Sequence, residues 1–584
     1  MKYIITDTEV FAHDWIIDFR AYGQDKHYTI HNDYDKALYF FNTHPDDVFV
    51  TFNGKHYDNY IIKAILNRAS AETVKDINDF IINGNEGYKH PFTQYCRYKF
   101  NYCDLMDDMQ VGLSLKSIEA HLGMDIEETE VDFNLQRPLT QEELDLTIKY
   151  CRYDVDATYK VFELRQAYLD NKIMVGKMAG LSEQESLQLT NAKLTAEYLK
   201  ASPVSYKDER DYQYPENLLK QYIESPVFDF FDRLHDKSLS DDEVFKTQYK
   251  GKIGDCSFTL GFGGIHGDCG NCIVEETDNV VIVNEDVGSY YPHLVVINGY
   301  VSRAISDATE YAEMLEQRMK AKASGDKQTA NALKLVCNST YGAFGDRYNK
   351  LYDPKMMRAV CISGQLYLLE LATHLYTKTH CDFIQLNTDG LMFAIEKSKL
   401  PLAEEICNEW QQRTGFSLER DDIVRIVQKD VNNYLEIKND NSFKCKGGYL
   451  VRGISSAGAF NINNNAVIIA DAIKEYFLNG KSPEETIMKC DDILKFQLIA
   501  KASGKYKAVY HNNKEVQRCN RVYASPFVTD GTLYKLHNNG QIAKIAGLPE
   551  HCIVDNSNEL SINDIDRRWY IQNAYSKIQD YIGR

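Results

Sequence analysis

No stretch of this sequence comes near the ~18 uninterrupted apolar residues that a membrane-spanning helix needs. The opening run MKYIITDTEVF is broken by acidic residues almost at once, so it reads as neither a secretory leader nor a span. Internal repeats and low-complexity tracts are also lacking, which excludes a solenoid or an array. The 14 cysteines show no regular framework, and scattered thiols of this kind belong to a reducing compartment rather than to a disulfide-stapled secreted scaffold. A soluble, intracellular protein with buried thiols is expected. Positive charge is short as well: the formal net charge of -19 argues against a surface that holds a polyanion everywhere. Only a local basic track remains for such a partner, and one is visible at Lys501, Lys505, Lys507, Lys514, Arg518 and Arg521.

What is present is enough apolar material for several cores. At 584 residues and 44% hydrophobic, the chain exceeds what one core supports, and several lobes are expected. Strand-like runs alternate with helical stretches through the first 170 or so residues, with strands over 3–5 and 48–52 and a helix over 141–164. That is an α/β layer pattern. Residues from about 175 to 250 are polar and helical and fit a connector. A glycine-dense stretch follows at Gly261, Gly263, Gly264 and Gly267. Beyond it come a strand over 280–283, a helical hairpin broken at Ser324-Gly325-Asp326, and a β-hairpin around the turn Asn387-Thr388-Asp389-Gly390.

Two constellations carry chemistry. Asp7 and Glu9 stand two apart beside the first strand, so both leave one face if the strand continues. Asp58 follows the strand 48–52, and Tyr150 and Asp154 share a helix face. Asp104 is read as structural. Four carboxylates with neither Cys nor His among them suit hard cations such as Mg²⁺ or Mn²⁺, and two such ions can activate a water against a phosphodiester. The second constellation starts at Asp286, at the end of its strand. Arg318 and Lys322 lie four apart on one helix of the hairpin, and Lys334, Asn338 and Tyr341 follow one another on the next. Three cations facing one place suit a triphosphate, and Asp389 at the tip of the hairpin could meet Asp286 in a two-metal pair.

In order along the chain, these stretches resemble a known family. Asp7-Thr8-Glu9, residues 53–58, and Tyr150 to Asp154 are similar to the Exo I, Exo II and Exo III motifs of proofreading exonucleases. Residues 286–292 resemble motif A of family B DNA polymerases, residues 334–342 motif B, and Asn387-Thr388-Asp389 motif C, and the match is to the compact kind found in bacteriophages. The resemblance implies an α/β and α+β multidomain fold. A ribonuclease H-like exonuclease domain would span 1–174 and a helical connector 175–250. A right-hand polymerase would follow, with its palm at 251–300 and 345–440, its fingers at 301–344, and a thumb and carboxyl-terminal region at 441–584.

It also implies a DNA-directed DNA polymerase that adds dNTPs to a primer 3′ end and proofreads with a 3′-5′ exonuclease, using two Mg²⁺ or Mn²⁺ ions at each site. By resemblance, Asp286, Val287 and Asp389 bind metal at one site, and Asp7, Glu9, Asp58 and Asp154 at the other, where Tyr150 positions the attacking water. Arg318, Lys322 and Lys334 would hold the triphosphate. Tyr291 would pack under the sugar and exclude a 2′-hydroxyl, and Asn338, Tyr341 and Gly342 would line the nascent base pair. Gly263 and Gly264, in a link similar to the Tyr-x-Gly-Gly type, together with Tyr434, Lys444 and Lys446, would contact DNA. The implied partners are primer-template DNA, dNTPs and other replisome proteins. The chain would act as a monomer, away from membranes, in the cytoplasm (that of the host if the chain is phage-encoded).

The chain also departs from the family. Asn387 replaces the first Asp of motif C, but Asp389, the principal ligand, is kept; Tyr290 stands where Leu is usual. Exo I comes only seven residues in, so the amino-terminal domain of larger members is expected to be missing. The spaces after Pro292 and Gly342 leave no room for the insertions of protein-primed polymerases, so nucleic-acid priming is expected. The primer-gripping Lys-x-Tyr becomes Asn432-Asn433-Tyr434, with Lys429 a candidate substitute for the Lys. Cys269 and Cys272, with His266 upstream, read as structural thiols rather than zinc ligands, since no second Cys-x-x-Cys lies nearby. Residues 564–582 read as an amphipathic helix. Of two rivals, an exonuclease with a decayed polymerase half is opposed by the intact Asp286, Lys334, Asn338, Tyr341 and Asp389, and a non-catalytic DNA-binding protein by the intact carboxylates at both sites, whose clustered charge is costly without metal.

Overall fold

The computed structural model describes residues 2–456 and 460–583, and the chain divides into two compact units. The first holds residues 1–190, 452–467 and 490–570; the second holds 191–451, 468–489 and 571–584. Residues 441–584, expected as one region, are therefore shared between the two.

The first unit is built on a five-stranded sheet of β1 (Tyr3–Val10), β2 (Trp15–Ala21), β3 (His27–His31), β4 (Val48–Thr51) and β5 (Asn101–Asp104), in the order β3-β2-β1-β4-β5. The first three strands are antiparallel, whereas β4 runs parallel to both β1 and β5. β1 runs well past the expected 3–5 because β2 pairs with it from Ile4↔Ala21 to Val10↔Trp15. Separate apolar clusters contain Ile4, Trp15 and Phe49 in one case and Ile5, Val50 and Phe162 in the other, so alternate residues of β1 and β4 feed different cores. The helix Gln141–Met178 opens with a capping box between Thr140 and Glu143. It passes the expected end at 164 because no Pro or Gly interrupts it before Gly176, where a Cβ would lie 1.7 Å from Ser186 Oγ. Residues 175–178, expected in the connector, belong to this helix.

The carboxyl-terminal part of this unit adds a three-stranded sheet (Leu498–Lys501, Cys519–Ala524, Cys552–Val554) and a four-stranded one. Here the expected basic track is corrected at Arg521, whereas Lys505, Lys507, Lys514 and Arg518 are exposed. Arg521 is fully buried, and Arg518 and Lys501 donate to backbone carbonyls, those of Ser503 and Tyr506 and that of Gly112. A sequence shows a charge but not the carbonyl that the charge satisfies.

The second unit centres on a ten-stranded antiparallel sheet: β6 (Tyr249–Ile253), β7 (Cys256–Leu260), β8 (His266–Asp268), β9 (Cys272–Glu275), β10 (Val280–Val287), β11 (Asp382–Asn387), β12 (Gly390–Glu396), β13 (Leu418–Asp430), β14 (Asn433–Lys438) and β15 (Phe443–Lys446). β10 lies between β12 and β13. Because both neighbours pair with it as far as Asp286, the strand extends to Val287 rather than ending at 283, and Asp286 is a strand residue rather than a residue after one. The helix Pro354–Thr379, buried along most of its length, packs on the helices Tyr290–Ile297 and Leu400–Thr414 and against β6 and β12. The helical hairpin forms as Thr309–Ser324 and Lys327–Gly345. It turns at Gly325, whose φ of +78° carries no Cβ penalty, and Asp326 caps the second helix by accepting the Thr329 N–H. Cys269 and Cys272 lie 3.5 Å apart, sulfur to sulfur. Among the described residues, no helix is long and apolar enough to cross a membrane.

Candidate active sites

In the first unit, β1 carries Asp7 and Glu9, and the helix Asp58–Leu66 begins at Asp58, which accepts a 2.6 Å hydrogen bond from Thr8 Oγ1. Asp154 comes from the helix Gln141–Met178. Asp104, at the end of β5, accepts the backbone N–H groups of Asn53, Lys55 and Met106, and so holds the loop that leads to Asp58. Glu9, Asp58 and Asp154 are all buried. Burial, then the charges of Asp58, Glu9 and Asp154, pushes the Asp7 carboxyl well above its ordinary range. Glu9 is raised by burial and by Asp154. Burial lifts Asp58 to about 7 against the hydrogen bond from Thr8. Carboxylates crowded in this way repel one another, and the Lys116 charge offsets that only in part.

Two residues here escaped the sequence reading. Lys116, on the helix Leu115–His121, donates to Asp154 Oδ1 at 2.5 Å and to Glu119 Oε1 at 3.3 Å, and its ammonium lies 4.7 Å from the Tyr150 ring centre. Nothing in its local pattern marks it, since its partner is distant in sequence. Cys151 was not anticipated: a Cys151 sulfur, an Asp7 oxygen and a Glu9 oxygen lie within 4.8 Å of one another, and Sγ donates to Asp7 Oδ2 at 3.7 Å. Burial and the Asp7 charge push this thiol well above its ordinary range.

In the second unit, Asp286 pairs with Gly390 across β10 and β12, and Asp389 occupies the two-residue turn between β11 and β12. The Val287 N–H donates to the Asp389 carbonyl at 2.7 Å, which ties the two segments together. Asn284 Nδ2 donates to Asp286 Oδ2 at 3.1 Å; burial, then Asp389, raises the Asp286 carboxyl. Asn387 has a structural task, since its Oδ1 accepts the Thr388 N–H at 2.9 Å and so braces the turn. Ser289 is left-handed at φ +50°, a strained backbone directly before the helix Tyr290–Ile297. Tyr290 is core: it is buried, and its hydroxyl donates to the Gly364 carbonyl.

A cavity of about 490 Å³ opens above these carboxylates. Asp286, Val287 and Asp389 line it at one side; Arg318, Lys322, Lys334 and Asn338 reach it from the helical hairpin. Arg318 Nη1 donates to Ser289 Oγ at 2.8 Å, while its Nε is buried without a partner. Tyr291 and Tyr341 also line the cavity, with their rings edge to face at 4.8 Å. Gly342 is exposed and has open space where a Cβ would stand. Glu419 on β13, opposite Asp286, was not anticipated; it lines the same cavity and pairs with Lys322 at 3.5 Å.

A second cavity, of about 220 Å³, is shared by Asp286, Asp389, Asn387, Tyr434, Lys444 and Lys446. Lys446 lies 5.7 Å from the Tyr434 ring centre, whereas Lys429 is held by Asp430 and lies over Tyr449. The cation beside Tyr434 is therefore Lys446, brought there by the β14–β15 register, and not Lys429. Gly264 packs against the turn Thr388-Asp389, where a Cβ would lie 2.4 Å from Thr388 Oγ1; Gly263 has nothing within 4 Å of its Cβ position.

No protein-family model matches the chain, and no curated protein matches it. Among solved structures, it is similar to a family B DNA polymerase from the hyperthermophilic archaeon Pyrobaculum calidifontis, at 11% identity and a TM-score of 0.42, over 100% of this chain and 78% of that one. So slight a likeness decides neither family nor activity, and the functional reading rests on the two sites themselves.

Proposed function

We propose that the chain is a DNA-directed DNA polymerase with a 3′-5′ proofreading exonuclease, of the compact family B type found in bacteriophages. The observation that carries this reading is the 490 Å³ cavity in which Arg318, Lys322 and Lys334 face Asp286 and Asp389, a size and charge pattern suited to a nucleoside triphosphate. On this reading the exonuclease domain lies within 1–174 and is ribonuclease H-like, which the strand order β3-β2-β1-β4-β5 supports. Beyond the helix Gln141–Met178, residues to about 250 connect it to a palm at 251–300 and 345–440, fingers at 301–344, and a thumb region within 441–584.

Both donor sets fit hard divalent cations, being carboxylate oxygens whose mutual repulsion within buried surroundings is relieved by added positive charge. Asp286 and Asp389, with Val287, would hold Mg²⁺ or Mn²⁺ at one site, and Asp7, Glu9, Asp58 and Asp154 at the other. Bound in pairs, such ions activate an attacking oxygen and neutralise a leaving one. The chain's own residues do the rest. Arg318, Lys322 and Lys334 neutralise the triphosphate and the departing pyrophosphate. Tyr291, braced by Tyr341, packs under the sugar and leaves no room for a 2′-hydroxyl. Asn338, Tyr341 and Gly342 border the new base pair, while Tyr434, Lys444 and Lys446 hold the primer strand and Gly263 and Gly264 border the template. The primer 3′-oxygen attacks the α-phosphorus as the bond to pyrophosphate breaks. In the other site, Tyr150 orients the water that cleaves the terminal phosphodiester, and Lys116 fixes Asp154.

The partners are then primer-template DNA, dNTPs and other replisome proteins, in the cytoplasm. Purified protein given Mg²⁺, four dNTPs and a 5′-labelled primer annealed to a longer template should extend the primer to the template end. Failure to add any nucleotide under those conditions would overturn the proposal.

A further inference from the structure

We infer that residues 490–570 complete the exonuclease site: Arg521 is a positioning residue for Lys116, and Gln517 and Asn556 wall a pocket for the 3′-terminal nucleotide of a single strand. The inference rests on the exonuclease reading above and adds to it a part of the chain remote in sequence.

The argument starts at the helix Leu115–His121, which presents Lys116 to Asp154. After this helix the chain turns through Gly123, at φ +70°, towards Ile126. A helix end and a turn leave carbonyls without partners. Here the Ala120 carbonyl accepts the Gly123 N–H at 3.2 Å, and the carboxyl-terminal sheets supply further donors. Arg521 Nη2 donates to the carbonyls of Ala120 at 3.2 Å and Met124 at 2.7 Å. Asn558 Nδ2 donates to the Gly123 carbonyl at 3.3 Å and to Asp125 Oδ1 at 2.7 Å. The Asn556 carbonyl accepts the Ile126 N–H at 2.7 Å. Ala120 and Ile126 share a small apolar cluster with Ile499 and Cys519.

Arg521 is 0% exposed, and its other donors are used as well, Nε on Gln497 Oε1 at 2.9 Å and Nη1 on Asn558 Oδ1 at 2.6 Å. A planar fork whose acceptors are all fixed sets their mutual orientation, which an ammonium on a flexible stem does not. The helix that carries Lys116 is thus anchored at the end opposite its active residue.

The pocket beside this turn measures about 320 Å³, large enough for one nucleotide, and is lined by four carboxylates, Asp125, Glu127, Glu128 and Glu130, and by Tyr150 and Gln517. Tyr150 places it next to the carboxylate cluster and offers a ring on which a base can stack. Glu127 and Glu128 accept exocyclic amines and disfavour phosphate, so the base enters the pocket while the phosphodiester stays with Asp7 and Asp154. Asn556 Nδ2 donates to Gln517 Oε1 at 3.0 Å and so sets the Gln517 amide that lines the pocket.

The test compares shortening of a 5′-labelled single strand in Mg²⁺ by wild type, Asp7→Ala, Arg521→Ala, Arg521→Lys and Gln517→Ala, with primer extension measured on the same preparations. Arg521→Ala should lower the kcat of shortening at least ~10-fold with little change in KM, and Arg521→Lys should recover part of it. Gln517→Ala, on a partly exposed side chain whose partner Asn556 keeps its bond to Asn520 Oδ1 at 3.1 Å, should raise KM for the single strand by roughly fivefold with kcat little changed. Extension should stay within about twofold in each of these variants. Shortening at the wild-type rate in both Arg521→Ala and Gln517→Ala would overturn the inference, as would parallel losses of shortening and extension, the mark of general unfolding. If wild type itself failed to shorten the strand, or Asp7→Ala shortened it equally well, the exonuclease reading would fall instead.

Discussion

Replacing Asp286 with Asn should reduce primer extension by three orders of magnitude or more, about 4 kcal/mol of lost transition-state stabilisation, while leaving the fold intact or firmer. The expectation follows from the carboxylate's surroundings. Asp286 sits on the central strand β10, with Asn284 donating to one oxygen and Asp389 adding a second negative charge nearby. Its carboxyl is raised by burial first and by Asp389 second. A carboxyl whose folded-state value is raised loses stability as the pH climbs from its ordinary value through the folded one, and above that the full cost is present, because its ionised form is the disfavoured one. Asn keeps the size and removes the charge, so in EDTA at neutral pH the variant should melt at or above the wild-type temperature. With Mg²⁺ added, wild type should gain stability by binding and the variant should gain less. A thermal melt with and without Mg²⁺, run beside an extension assay, checks both halves. Normal extension by the Asp286→Asn variant would remove Asp286 from the chemistry.

Gly390→Ala should be nearly as damaging to extension, by about a hundredfold, although Gly390 carries no functional group. A Cβ there would stand 2.0 Å from Asp286 Oδ1 and 3.1 Å from the Glu285 carbonyl. The carboxylate can rotate away, but only by leaving the position that faces Asp389. A ligand moved by an ångström loses most of its catalytic worth, because preorganisation is what the site contributes. The cost to stability should be small beside the cost to activity. Single-turnover extension with saturating dNTP would show the loss in the chemical step. Extension at the wild-type rate would mean that Asp286 need not hold the orientation seen here.

Much of this architecture could be read from residue order alone, and the reasons are local. Asp7 and Glu9 share a face because a strand alternates its side chains, and the turn at Thr388-Asp389 is marked by the apolar runs on either side of it. The break at Ser324-Gly325-Asp326 announces the helical hairpin, since Gly325 is left-handed and Asp326 is a cap. What could not be read depends on partners distant in sequence. β10 extends to Val287 only because β12 and β13 flank it. Lys116 and Asp154 meet through the tertiary fold, as do Glu419 and Asp286 across a strand pair. Lys446, not Lys429, stands over Tyr434 because the β14–β15 register puts it there. Arg521 looked like part of a basic surface in the sequence, yet it is a buried clamp, and no property of its neighbours along the chain distinguishes the two.

The central claim is that one chain holds two separate phosphoryl-transfer sites, each served by its own carboxylates. The most direct measurement is a gel assay of a 5′-labelled primer-template in Mg²⁺, with and without dNTPs, for wild type, Asp389→Ala and Asp7→Ala. Extension to the template end lost only in Asp389→Ala, with primer shortening lost only in Asp7→Ala, is the result expected. A wild-type protein that shortens the primer but never extends it would contradict the account and leave an exonuclease whose motif C, with Asn387, no longer supports synthesis.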